Sequence, residues 1–93
     1  MSLTFEWDPA KSRRNELKHL VSFREAVTIF ADPGSITTYD PDHSADEDRF
    51  ITIGESDRGR LLVVVHTDRE DTIRVISARK SKRSERVAYE ERI

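Results

Sequence analysis

Three β-rich runs crowd the second half of the chain: "RFITIGES" (49–56), "RLLVVVHT" (60–67) and "TIRVISAR" (72–79). They constrain the fold more than any other feature. The links between them, "DRG" and "DRED", are turn-like and too short for a crossover, so the runs are expected to pair as an antiparallel meander. In the middle run Leu61 to Val65 are apolar without alternation. Side chains of a strand point alternately to opposite faces, so both faces of this one must be covered. It is therefore expected at the centre, with helices on one side and a partner or a returning piece of chain on the other.

The covering helices are legible upstream. "FEWDPAK" reads as a short strand entering a helix, with Asp8 placed to accept from the free first-turn N–H groups and Pro9 at a position that needs no amide hydrogen. That helix carries Lys11, Arg13, Arg14, Asn15 and Lys18. In "SFREAVTIFA" Ser22 and Glu25 have capping-box spacing, and Phe23, Ala26, Val27, Phe30 and Ala31 recur at the helical interval. Pro33, Gly34 and Pro41 mark a long, mobile connection with one short strand near "SITTY". From Ser81 a charged segment forms a third helix, expected to be weakly anchored by Val87, Ala88, Tyr89 and Ile93. The expected fold class is α+β: a small antiparallel sheet with two N-terminal helices and one C-terminal helix, a single domain over residues 1–93.

Composition narrows the function. Without cysteine there are no disulfides and no thiolate metal sites, which fits a reducing cytoplasm. No stretch approaches the roughly 18 apolar residues of a membrane span, and "MSLTFEWDPAK" lacks the features of a secretion signal. A soluble intracellular protein is expected, and no contact with membrane. The net charge of −2 hides an asymmetry: residues 32–57 hold eight acids against Arg49 alone, while residues 58–93 hold ten bases against six acids. The basic third is suited to phosphates.

The candidate chemistry lies on the last hairpin. If "DRED" is a four-residue loop, Thr67 faces Thr72, and His66 shares a sheet face with Ile73, Val75, Ser77 and Arg79 while Arg69 leans in from the turn. A histidine flanked by guanidinium groups suits RNA cleavage by internal attack: the 2′-hydroxyl loses a proton, the leaving oxygen gains one, and the phosphorane needs positive charge. A one-residue slip would put Arg79 on the other face. The plainer alternative is a partly buried histidine with satisfied hydrogen bonds. Arg74 suits a half-buried ion pair, Lys18 and His19 complement the dipole of the first helix, and "ARKSKRSER" suits a solvated helix face. The acidic "DPDHSADED" has Pro41 at its second position and Ile51 where a calcium loop needs its bidentate glutamate, so a solvated loop is expected and no metal. Neither a phosphate-binding glycine loop nor a nucleophile elbow is present, and no cofactor is expected.

Taken in order, "FEWDPAK", Asn15, "KHLVSFREA", "IFADP", "DEDRFITIG", "RLLVVVHTDR", "IRVISARK" and "ERVAYEE" resemble the BrnT toxins of bacterial type II toxin–antitoxin pairs over nearly the whole chain. The resemblance implies a RelE-like fold and a ribonuclease that cuts RNA without a metal and arrests translation. It implies a BrnA-like ribbon-helix-helix antitoxin as partner, in a heterotetramer that touches operator DNA only through the antitoxin. His66, Arg69 and Arg79 match the family's His-Thr-x-Arg and Ile-Ser-Ala-Arg segments and are the implied catalytic set. Lys18, His19, Arg74 and Tyr89 match recurrent positions, and with Lys80, Lys82, Arg83 and Arg86 they form the expected RNA-binding set. A noncatalytic module acting as an antitoxin-bound co-repressor subunit is the alternative.

Overall fold

The computed structural model describes residues 3–92. Its elements are β1 (Thr4–Glu6), α1 (Pro9–His19), α2 (Phe23–Ala26) continued by a 3-10 turn (Val27–Ala31), β2 (Ile36–Tyr39), β3 (Phe50–Glu55), β4 (Leu61–Arg69), β5 (Thr72–Lys80) and α3 (Arg83–Glu90). The sheet runs β1-β5-β4-β3-β2, which places β4 at its centre. All neighbours are antiparallel except β1, which lies parallel to β5 through Thr4–Thr72, Phe5–Ile73 and Glu6–Arg74. The parallel edge strand follows from the intervening chain, which returns to the sheet only after α1, α2 and the hairpins.

One face of β4 carries Leu62 and Val64, buried under Phe23, Ala26 and Ile29. Each of the larger side chains among them contributes roughly 1.5–3 kcal/mol by leaving water. Asp8 caps α1 by accepting from the Ala10 N–H at 2.8 Å, with Pro9 in the first turn as expected. The second cap is only half realised. Ser22 Oγ accepts from the Glu25 N–H at 3.1 Å, but the Glu25 carboxylate turns away to Ser56 and to the Arg60 guanidinium. It thereby ties α2 to the β3–β4 turn, and the Arg60 hydrogen bond, with burial opposing it, holds the Glu25 carboxyl below the usual glutamate range.

The opposite face carries Leu61 and Val63. Here α3 is held at both ends by polar contacts, which corrects the expectation of weak apolar anchoring. Arg79 grips Glu85 through two bonds of 2.8 and 2.7 Å, and the Tyr89 hydroxyl donates to Asp32 Oδ2 at 2.5 Å. Val87 stays exposed, and Ile93 lies outside the described residues. The acidic connection is also more ordered than expected, with a short 3-10 turn at Pro41–His43 and Ser44 Oγ bridging Asp40 O and the Arg49 N–H.

Candidate functional site

The β4–β5 hairpin decides where its histidine and arginines go. Its turn is Glu70–Asp71, with Arg69 opposite Thr72 and Glu70 at φ 55, so the loop has two residues rather than the expected four. A shift of two keeps every side chain on its face, and His66 indeed shares a face with Val75 and Ile73. The register then breaks: His66 pairs with Val75 but Val65 with Ser77, leaving Ile76 as an extra residue. A bulge of one residue reverses the alternation beyond it. Ser77 and Arg79 therefore sit on the face opposite His66, and Arg69, an odd number of positions along β4, does too. The expected convergence of His66, Arg69 and Arg79 is not formed.

His66 is 1% exposed. Its ring lies edge-on to Phe30 and stacked near Phe50, with centroids 5.0 and 6.0 Å away. Nδ1 is 2.6 Å from Asp68 Oδ1 and Nε2 is 2.7 Å from Thr52 Oγ1. A carboxylate only accepts, so Nδ1 carries a proton. Thr52 Oγ1 continues to Thr37 Oγ1 at 2.8 Å. Both ring nitrogens are thus engaged within the protein, in a chain that ties β2, β3 and β4 together.

The other predicted residues are scattered. Arg69 reaches Glu47 at 3.1 Å, beside a hollow of about 490 Å³ lined by His43, Asp46, Glu47 and Arg49. Its Arg69 is already paired with Glu47, and Asp46 stands beside them. Arg74 lies 3.8 Å from Glu6, the ion-pair alternative. Arg79 is bound to Glu85, and Tyr89 to Asp32, whose hydrogen bond raises the phenol above its ordinary value. Lys80, Lys82, Arg83 and Arg86 are exposed around the start of α3.

Lys18 and His19 are different. With Lys11, Arg14 and Asn15 of α1 and Ile76 and Ser77 of β5, they line a groove of about 380 Å³. Asn15 builds it. The outer edge of β5 beyond β1 is unpaired, and Asn15 Nδ2 donates to Ala78 O at 2.8 Å while its Oδ1 accepts from the Ala78 N–H at 3.1 Å. The same Nδ2 donates to Val21 O at 2.8 Å. One side chain thus replaces a missing strand and fixes α1 against the edge, where the bulge residue Ile76 forms the floor. No acid lines this groove, and among the described residues none of Lys11, Arg14, Lys18 and His19 makes an ion pair. Asp8, at the head of α1, is already held by the Ala10 N–H, and Arg14 and Lys11 add to the lowering of its pKa.

Such a groove offers three exposed cations and a half-buried imidazole to a polyanion, which is enough for phosphate binding and proton transfer. Lys11, Arg14 and Asn15 were not among the predicted site residues. A signal for them existed: 11, 14, 15 and 18 follow the i, i+3, i+4, i+7 spacing of one helix face.

A family model described as the ribonuclease toxin BrnT of type II toxin–antitoxin systems matches residues 7–85. The crystal structure of the Brucella abortus ribonuclease toxin BrnT superposes with a TM-score of 0.63 at 22% identity, covering 88% of this chain and 100% of that one. This likeness carries the α+β fold, a five-stranded and mostly antiparallel sheet with helices. No curated protein sequence matches significantly. Among the described residues no helix is long and apolar enough to cross a membrane.

Proposed function

Since the chain belongs to the BrnT family of ribonuclease toxins of type II toxin–antitoxin systems, with RNA as substrate and an antitoxin as cognate partner, we propose that it cleaves RNA in the groove between α1 and the outer edge of β5. His19 takes the 2′-hydroxyl proton, the resulting oxyanion attacks the adjacent phosphorus, and the bond to the 5′-oxygen breaks to leave a 2′,3′-cyclic phosphate. Lys18 supplies the proton to the departing 5′-oxygen. Lys11 and Arg14 hold the phosphate and offset the charge of the phosphorane. With this charge provided by side chains, the reaction needs no metal ion.

The observation that carries the reading is the groove itself: an accessible histidine among unpaired cations, against a His66 whose two nitrogens are already used. His66 supports the fold in this scheme, Arg79 positions α3 through Glu85, and Arg69 orders the acidic loop through Glu47. Cleavage in the cytoplasm arrests translation. A BrnA-like ribbon-helix-helix antitoxin silences the toxin in a heterotetramer and makes the operator DNA contacts.

Purified His19→Ala and His66→Ala proteins, assayed on a defined RNA with and without EDTA, test this. The expected result is loss of cleavage in folded His19→Ala, wild-type rate in the folded fraction of His66→Ala, and no effect of EDTA. Full activity in His19→Ala with loss in folded His66→Ala would return the chemistry to His66, Arg69 and Arg79.

A further inference from the structure

Beside the groove, α1 presents two leucines to solvent. Leu17 is 84% and Leu20 64% exposed, and with Arg13 and Glu16 they line a shallow hollow of about 390 Å³. Burial does not explain either one. Leu20 also ends the helix at φ 60 and ψ 30, the left-handed region where glycine is favoured and a side chain adds strain. An exposed leucine in that conformation is unfavourable for folding twice over, through its backbone and through its wetted side chain. A contact outside the chain supplies what the fold does not.

The surrounding charge selects the occupant. Helix α1 carries Lys11, Arg13, Arg14 and Lys18 against Glu16 alone. A second copy packed here by a two-fold axis would set this basic surface against itself. Two leucines on so short a helix also fall short of the continuous apolar face by which a helix lies in a bilayer. An apolar segment bearing carboxylates fits the two leucines and the net positive charge of the helix that carries them.

We infer that Leu17 and Leu20 are the docking point for the cognate antitoxin, entered by an amphipathic segment with apolar side chains on one face and acids beside them. This rests on the proposed RNA groove in one respect: Arg14 and Lys18 of the groove directly follow Arg13 and Leu17 of the hollow along α1, so a segment seated on the leucines brings its carboxylates to the groove cations and shuts out RNA. The antitoxin thus competes for the cations that hold phosphate.

The test uses the full chain and its cognate antitoxin, with affinity measured by calorimetry and cleavage of a defined RNA measured in parallel. Leu17→Gln alters only an exposed side chain, and Leu20→Gly relieves the left-handed strain, so lost binding in the latter cannot be laid to unfolding. Each is expected to weaken antitoxin binding about tenfold and the pair about a hundredfold, the size of effect of a well-packed apolar anchor. Free-toxin cleavage should stay at the wild-type rate while inhibition shifts to higher antitoxin concentration. A double variant bound and inhibited like wild type overturns the inference. So does Leu17-dependent dimerisation of the free protein in light scattering, or its Leu17-dependent sedimentation with phosphatidylglycerol vesicles. If the groove reading alone fails, groove variants keep cleaving RNA while antitoxin binding still depends on both leucines.

Discussion

His19 and His66 lie in opposite surroundings. His19 closes α1 at the rim of an open groove with Lys11, Arg14 and Lys18, whereas His66 sits between two phenylalanine rings with a carboxylate on one nitrogen and a hydroxyl on the other. The first has capacity to spare and the second has none. An imidazole transfers protons to a substrate only where a nitrogen can reach it, so local access separates these two residues more sharply than residue type or neighbouring sequence does.

The largest expected effect breaks or keeps this contrast directly. His19→Ala should lower RNA cleavage by roughly 10²- to 10⁴-fold with an unchanged melting temperature; a rate near wild type would leave the groove without a chemical role. Next is His66→Ala, which removes a buried ring and strands Thr52. It should cost about 2–4 kcal/mol of stability in urea unfolding, and a loss under half of that would mean the hydrogen-bond chain across β2, β3 and β4 is not supporting the sheet.

A smaller effect sharpens the groove against the other basic surface. Lys11→Gln and Lys18→Gln should each make the salt dependence of RNA affinity shallower by about 0.7–0.9 in log–log slope. The triple change of Lys82, Arg83 and Arg86 to Gln should move the slope less than either, and the opposite order would shift the substrate path to α3. The smallest effect concerns acid. The Glu25 carboxyl is held below the usual glutamate range, chiefly by Arg60, so its stabilisation is complete above that range and is lost as pH falls through the lowered value. Stability measured from pH 7 downward should therefore decline less steeply in Glu25→Gln than in wild type; parallel curves would mean the tie between α2 and the β3–β4 turn carries no pH dependence.

Much of the fold was legible in particular residues. The unbroken apolar run from Leu61 to Val65 put β4 at the centre, and Asp8 with Pro9 located the start of α1. Those signals are local or depend only on the period of the chain. Three others misled for a shared reason. Glu25 had the spacing of a capping box but found Arg60, the last helix looked unanchored until Glu85 met Arg79 and Tyr89 met Asp32, and "DRED" closed in two residues rather than four. In each case a partner remote along the chain, or one unusual backbone angle, outweighed the local pattern.

The amino-acid sequence by itself determined the α+β class, the paired runs, the central strand, the cationic face of α1 and the resemblance to a ribonuclease toxin, because periodicity, capping and charge spacing act over a few residues. Tertiary structure alone decided that His66 is enclosed while His19 opens onto a cationic groove. His66 is enclosed by Phe30 and Phe50, one extra residue, Ile76, reverses the side on which Ser77 and Arg79 emerge, and the Asn15 amide occupies the unpaired edge of β5 beside His19. A bulge is a property of two strands together and an edge is completed by whatever packs beside it, so neither can be read from one strand's residues.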